Sequence, residues 1–215
     1  MITIHHLGVS QSDRVVWLME ELELPYKLQW YDRAADYLAP ADFRALHPLG
    51  TAPVITDGEL VLAESTAIVE YISQRHGGGR LSVPVDDDEY PHYLFWMQFN
   101  NNLQAALFIQ LALRLGGGDP GSDNVIAVMS RRRADGLYRA LEQRLTQSEY
   151  LAGQRFTCAD IMALFNLTSL ERLGARPLDD GLPHVRAYVE RLTARPAYQK
   201  AMSIAGPEAL RPVQG

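Results

Sequence analysis

Ser10 and Ser12 follow an apolar run that ends at Gly8, and precede an apolar-periodic segment that carries Arg14. A hydroxyl placed where a strand becomes a helix can donate to an anion, while the free amides of the helix start point the same way. A thiol with a pKa of about 8.5 is mostly neutral near pH 7, and its thiolate is the nucleophile. Each unit of pKa lowering takes about 1.4 kcal/mol of preferential anion stabilisation. One charge-assisted hydrogen bond of about 1.5–3 kcal/mol therefore supplies about one to two units. Ser10 is the more natural donor to a ligand and Ser12 the more natural helix cap, and a pair of plain capping serines fits the segment equally well.

Two further passages suit the rest of such a ligand. In Gly50-Thr51-Ala52-Pro53-Val54, the neighbours of Pro53 can present a backbone N–H and C=O to an extended peptide, as an added strand would. A cis bond before Pro53 serves that bend, and an ordinary trans Pro opening an edge strand is the alternative. Glu64-Ser65 then starts a helix. The Ser65 hydroxyl and amide can hold a carboxylate while Glu64 meets an ammonium, which suits a zwitterionic end. A capped helix with an acidic first turn is again the plainer reading. Together the three passages describe a site for a small, anionic, peptide-like thiol.

The elements that must position them are legible from periodicity. Residues 2–7 read as a strand, 14–22 as a helix stopped by Leu24-Pro25, and 26–31 as a second strand. Residues 42–46 form a short helix closed by His47-Pro48. Residues 53–56 and 60–62 flank the turn signal Asp57-Gly58, and 64–76 form a third helix. The order β-α-β-α-β-β-α implies a mixed sheet with helices packed on it, its last hairpin antiparallel. Gly77-Gly78-Gly79, Pro84 and Asp86-Asp87-Asp88 read as a hinge-like linker, and beyond it the strand signals stop. Residues 90–115, 125–145, 161–173 and 185–193 look helical, with breaks at 116–120 and around Gly153, Gly174 and Pro183. Thr157-Cys158-Ala159-Asp160 reads as a capping box, with Phe156 and Ile161 placed for an apolar staple. Asp160 as a general base and Cys158 as a dipole-activated thiol are the functional alternatives to a cap and a small core residue.

The composition narrows the classes. Among 215 residues, 47% are hydrophobic, enough to bury a substantial core. A net charge of −6 argues against nucleic acid. The one basic run, Arg131-Arg132-Arg133, reads as a solvated or inter-subunit face. No apolar run reaches the roughly 18 residues of a membrane span, and the chain opens directly on Ile2-Thr3-Ile4 without a leader-like segment. The single Cys158 precludes an internal disulfide and fits a reducing cytosol. His5 and His6 point to opposite faces of one strand, and no histidine pair has the helical spacing of a metal site, so no metal is expected.

Taken together, Ser10, the segment from His47 to Val54, Glu64-Ser65-Thr66-Ala67-Ile68 before Tyr71-Ile72, and the Thr157–Asp160 cap resemble the glutathione transferase family over essentially the whole length. The segment Ser10-Gln11-Ser12-Asp13-Arg14-Val15-Val16-Trp17-Leu18 is similar to serine-type members, especially bacterial and fungal ones. The resemblance implies an α/β plus all-α chain. A thioredoxin-like domain with a mixed four-stranded sheet spans 1–77, a linker 78–88, and an all-helical bundle 89–215. It implies that Ser10, with Ser12 as alternative, stabilises the glutathione thiolate and that Pro53 is cis. Val54 would pair with the cysteinyl backbone, and Glu64 and Ser65 would hold the γ-glutamyl end. Thr51 stands where many such members carry Lys, so a contact to the glycyl carboxylate is missing or relocated. No Cys lies near position 10, which disfavours thiol–disulfide exchange.

The family's second-substrate pocket lies between the domains. Tyr90, Tyr93, Trp96, Met97, Asn100, Asn101 and Phe108 are the candidates here, although an apolar helical stripe also reads as core. Asn100-Asn101-Asn102 interrupts it, suited to a ligand, a partner subunit or water. The expected protein is a cytoplasmic, homodimeric detoxification enzyme that uses glutathione as co-substrate against a small, partly apolar electrophile, with no nucleic-acid or membrane partner. A glutathione-dependent peroxidase, dehalogenase, ether-cleaving enzyme or isomerase shares the same nucleophile, and a non-catalytic binding member of the fold is the rival from another class.

Overall fold

The computed structural model describes residues 1–172, 178 and 181–211. They form two compact units: Met1–Ser82 with the described part of Thr193–Gly215, and Val83–Leu192. The first unit runs β1 (Ile2–Leu7), α1 (Ser12–Glu21), β2 (Tyr26–Tyr31), α2 (Ala41–Arg44), β3 (Val54–Asp57), β4 (Leu60–Ala63) and α3 (Ser65–Arg75). The sheet order is β2-β1-β3-β4, with β1 parallel to β2 and antiparallel to β3, and β3 antiparallel to β4. This is the expected mixed, thioredoxin-like sheet. Alternation along β1 sorts its side chains. Leu7 joins Phe43 of α2, Val54 and Ala63 in one apolar cluster, while His6 meets Ser12 of α1. Asp57 pairs with Leu60, so the hairpin loop is Gly58-Glu59, one residue later than expected, with Gly58 at φ 60.

The residues after α3 are tied down rather than loose. A Cβ on Gly77 would lie 2.7 Å from the Ser73 carbonyl oxygen, so the chain turns back there only as glycine. Arg80 donates to the carbonyls of Gly77 and Leu22, and Ser73 Oγ donates to the Arg80 carbonyl at 2.6 Å. The first part of the expected linker thus packs with the first unit.

In the second unit, α4 (Tyr90–Leu115) packs against α5 (Val125–Leu145) and α6 (Cys158–Leu167), followed by α7 (Ser169–Arg172) and α8 (Pro183–Thr193). All ten residues of α6 are buried. The helix opens at Cys158, where the capping box marks its start, ahead of the periodic stretch 161–173, and is interrupted at Thr168, whose hydroxyl donates to the Leu164 carbonyl at 2.8 Å. Leu173 and Gly174, where its end and break were expected, lie outside the described residues. Thr157 caps α6 in a complete capping box, its own amide donating to Asp160 Oδ2 at 2.8 Å. The Asp160 carboxylate also accepts from the Leu151 amide, the Thr157 hydroxyl and the Tyr188 hydroxyl. Burial pushes its pKa up and these four donors oppose the rise. Asp160 is therefore a structural anchor, with its acceptor positions occupied, and Cys158 beside it is fully buried core.

The helix α9 (Pro196–Ala205) has no counterpart in the sequence reading, which ended its last helix at 193. It packs on α1 within the first unit. Tyr198 meets Trp17 edge to face with ring centroids 5.1 Å apart, and Arg195 grips both Glu21 oxygens at 2.6 and 2.7 Å. Lys200 pairs with Glu20 at 2.6 Å. The described residues from Thr193 onward thus group with the first unit.

Replacing Thr157 with Ala should lower unfolding free energy by about 1 kcal/mol. Asp160→Ala should cost about 3 kcal/mol, because it strands buried amides and hydroxyls without an acceptor. Urea denaturation midpoints measure both, and a smaller loss for Asp160→Ala than for Thr157→Ala would contradict the anchor role.

Candidate functional site

The loop between β1 and α1 is held from outside by Arg33. Its guanidinium donates to the carbonyls of Gly8 at 2.9 Å, Val9 at 2.8 Å and Tyr37 at 2.8 Å. Val9, a β-branched residue, is held at φ 51. Such a conformation costs on the order of 1–3 kcal/mol and persists only where its surroundings impose it. The next residue, Ser10, donates through Oγ to the Leu7 carbonyl at 2.6 Å and lies 2.7 Å from Ser12 Oγ. Ser12 does not cap α1. It is the first helical residue, Gln11 holds the cap position without a side-chain capping bond, and the Ser12 hydroxyl turns inward to His6 Nδ1 at 2.8 Å. Ser12 is fully buried and Ser10 is 8% exposed, so Ser10 is the hydroxyl nearer the surface.

The Ala52–Pro53 bond is cis. Val54 is laddered on both sides, opposite His5 of β1 and Ala63 of β4, and its side chain is fully buried. The N–H and C=O of one strand residue point to the same side, so either direction from Val54 meets a strand. The backbone edge suited to an extended ligand therefore belongs to Ala52, which lies outside the ladder and is half-buried beside Phe43, and not to Val54 as the resemblance implied. Thr51 is exposed.

At the start of α3, Glu64 takes φ 73 and ψ 115, a second strained non-glycine backbone, with its side chain exposed. Ser65 opens the helix and donates through Oγ to Gln11 Oε1 at 3.2 Å. This bond joins the starts of α1 and α3, bringing Ser10 and Ser65 segments together within the first unit. Gln11, Arg33 and His6 were not assigned as site residues from sequence. Gln11 and Ser65 stand 54 positions apart and Arg33 reaches back 25 to Gly8, so no local spacing could have revealed either contact.

The charges around the loop are perturbed by burial. His6 is fully buried, and burial, with the Arg33 charge adding to it, lowers its pKa to about 4. It is a neutral imidazole at physiological pH, packed on Trp30 with ring centroids 4.4 Å apart. Asp13 in the first turn of α1 is raised by burial, which the neighbouring Arg14 charge counters.

The residues assigned to a second substrate divide sharply. Tyr93, Trp96, Met97 and Asn100 on α4 are buried, while Phe108 is 42% exposed. Asn100 donates to the Trp96 carbonyl at 2.8 Å, and its own carbonyl accepts from Asn166 at 3.0 Å. Asn102 accepts from Arg133 at 2.7 Å, so part of the basic run is spent on α4. Among the described residues there is no cluster of His, Cys, Asp or Glu able to hold a metal. A groove of about 790 Å³ opens at the C-terminal end of α1, lined by Glu20, Glu23, Tyr26, Arg195 and Lys200, and contains none of the residues assigned from sequence.

Comparison with known proteins matches the glutathione S-transferase N-terminal domain to residues 10–75 and the glutathione S-transferase C-terminal domain to residues 105–196. The chain is 31% identical to glutathione S-transferase 3 of Zea mays over 88% of this chain and 87% of that protein. It is 29% identical to glutathione S-transferase 3 of Schizosaccharomyces pombe over 93% and 88%. A glutathione S-transferase crystal structure from Actinobacillus pleuropneumoniae superposes with a TM-score of 0.84 at 30% identity, covering 97% of this chain and 95% of that one.

The depressed His6 pKa makes a signed prediction. The unfolded chain protonates this imidazole near 6.5 and the folded one near 4, so folded stability is lost as pH falls through that window. Asp13, raised by burial, works in the opposite sense and masks part of the loss. His6→Asn removes only the first effect. The stability difference between variant and parent should shift in the variant's favour by about 3 kcal/mol from pH 6.5 to 4. Urea unfolding at several pH values measures this, and a difference independent of pH would refute the buried neutral imidazole.

Proposed function

Because the chain belongs to the glutathione S-transferase family and is a glutathione transferase, we propose that Ser10 activates the glutathione sulfur as a thiolate. The observation that carries this reading is the pair of hydroxyls at the β1–α1 junction. Ser12 is enclosed between Ser10 and His6, and Ser10 stands at the outer end. Turning its O–H from the Leu7 carbonyl to a bound sulfur gives that sulfur a donor beside a helix start. Ser10 does not need to become a base: the thiol proton leaves to solvent, and the hydroxyl stabilises the anion left behind.

The remaining groups suit the rest of the tripeptide. Ala52 offers its backbone to the cysteinyl residue, Ser65 at the start of α3 takes the γ-glutamyl carboxylate, and Glu64 meets the ammonium. Thr51 takes the place of a lysine ligand to the glycyl end, which leaves that carboxylate more weakly held. With the sulfur charged and oriented, attack on a small, partly apolar electrophile gains from proximity as well as from anion stabilisation. Family membership supports a homodimeric detoxification enzyme of the cytoplasm. No described helix is long and apolar enough to cross a membrane.

Ser10→Ala should raise the pH midpoint of bound thiolate by about one to two units and cut kcat at neutral pH by about 10- to 100-fold, with a small change in glutathione affinity. The ultraviolet absorption of the thiolate and a pH–rate profile read both, and an unchanged midpoint would remove Ser10 from the role. Glu64→Gln should instead raise KM for glutathione about tenfold or more while leaving the midpoint in place. Loss of retention on a glutathione matrix by the unmodified protein would favour a non-catalytic binding role.

A further inference from the structure

Resting on the reading of Ser10 as the sulfur's donor, we infer that Ser12 and His6 are positioning residues that fix the direction of its proton, through a one-way chain from the His6 ring to the Ser10 hydroxyl. Proton counting sets the direction. Ser10 has one hydroxyl proton, and the Leu7 carbonyl 2.6 Å away can only accept, so that proton is committed there in the resting protein. The 2.7 Å contact between the two serine oxygens must then use the proton of Ser12. Ser12 has none left for His6, so the 2.8 Å contact to Nδ1 requires that nitrogen to carry a proton and donate it. The order is His6 Nδ1–H to Ser12 Oγ–H to Ser10 Oγ–H.

The surroundings of the ring agree with this order. His6 Nε2 is buried without a hydrogen-bond partner, against Trp30. In a neutral imidazole protonated at Nδ1 this nitrogen is a bare lone pair, and an orphan buried acceptor is better tolerated than an orphan N–H. The alternative tautomer would bury an unpaired N–H and leave Nδ1 and Ser10 competing for the one proton of Ser12.

Two consequences follow for catalysis. The Ser10 oxygen accepts from the Ser12 hydroxyl and, at 3.4 Å, from the Ser12 amide, so both of its lone pairs are engaged. Ser10 can therefore donate to a sulfur but cannot take the thiol's proton. The chain also polarises Ser10, since each donor strengthens the next along a run of hydrogen bonds. No proton changes hands; one hydroxyl rotates from a carbonyl to the ligand while the rest of the chain stays in place.

The bound-thiolate midpoint should be measured for Ser12→Ala, His6→Phe and His6→Asn, each with Ser10 present and in a Ser10→Ala background. With Ser10 present, Ser12→Ala should lower the thiolate fraction at fixed pH below the midpoint by about three- to tenfold, and kcat with it, while KM for glutathione stays within about twofold. His6→Phe should move the midpoint the same way by less. His6→Asn, which keeps an N–H at the Nδ1 position, should restore it. In the Ser10→Ala background none of the three should move the midpoint further. If Ser10→Ala shifts the midpoint but Ser12→Ala and His6→Phe do not, the chain is refuted and the Ser10 reading survives. If Ser10→Ala itself is silent, the underlying reading fails. A Ser12→Ala effect that persists without Ser10 makes Ser12 the direct donor and overturns the proposal. Nitrogen-15 NMR of the unmodified protein tests the order without substitution: His6 should show a protonated Nδ1 and a bare Nε2 between about pH 5 and 8, and the opposite tautomer would refute it.

Discussion

Three polar side chains, His6, Ser12 and Ser10, are enclosed where β1 gives way to α1, and each finds its partner among the others or on the Leu7 carbonyl. A buried hydroxyl or imidazole without a partner costs more than a hydrogen bond contributes, so this junction tolerates few arrangements of protons. That restriction turns a common motif, serine before a helix, into a directed donor. It also explains why the loop can hold a strained Val9: Arg33 clamps the carbonyls on either side of that Cα, and the serine chain pins the residues that follow.

The same logic runs through the other site segments. Glu64 occupies a backbone conformation that L-residues avoid, and the Ser65–Gln11 bond joins its helix to the junction that carries Ser10. Ala52 sits beside Phe43 in the small cluster that includes Leu7 and Val54. Each segment proposed to meet the ligand is thus a short irregular stretch whose ends are anchored in the sheet or in a helix start. The fold supplies rigidity, and the strained residues supply the aim. In the second unit Asp160 plays a comparable part, drawing Leu151, Thr157 and Tyr188 onto the start of α6.

Much of this could be read from the chain. The helices α4 and α5 have the expected limits, since the Gly116–Pro120 break separates them. The Thr157–Asp160 cap is local chemistry, complete within four residues, so its spacing alone identifies it. The helix α9 is not legible in the sequence because it owes its place to Glu20, Glu21 and Trp17, more than 170 positions earlier in the chain. The proposed backbone partner of the ligand is Ala52 rather than Val54 for a related reason. Sequence shows a residue next to Pro53, but only the sheet shows that both of its flanks are already occupied.

The residue types and their order were enough to point to the family and the two kinds of architecture, and to single out Ser10, Pro53, Glu64 and Ser65 as candidates, since each depends on chemistry confined to a few neighbours. Which serine lies nearer the surface, which residue beside Pro53 stands outside the ladder, and what His6 touches were decided by tertiary structure. Those questions turn on which groups lose access to water and on the direction of protons between residues on different elements. Neither property exists until β1, α1 and α3 are packed together.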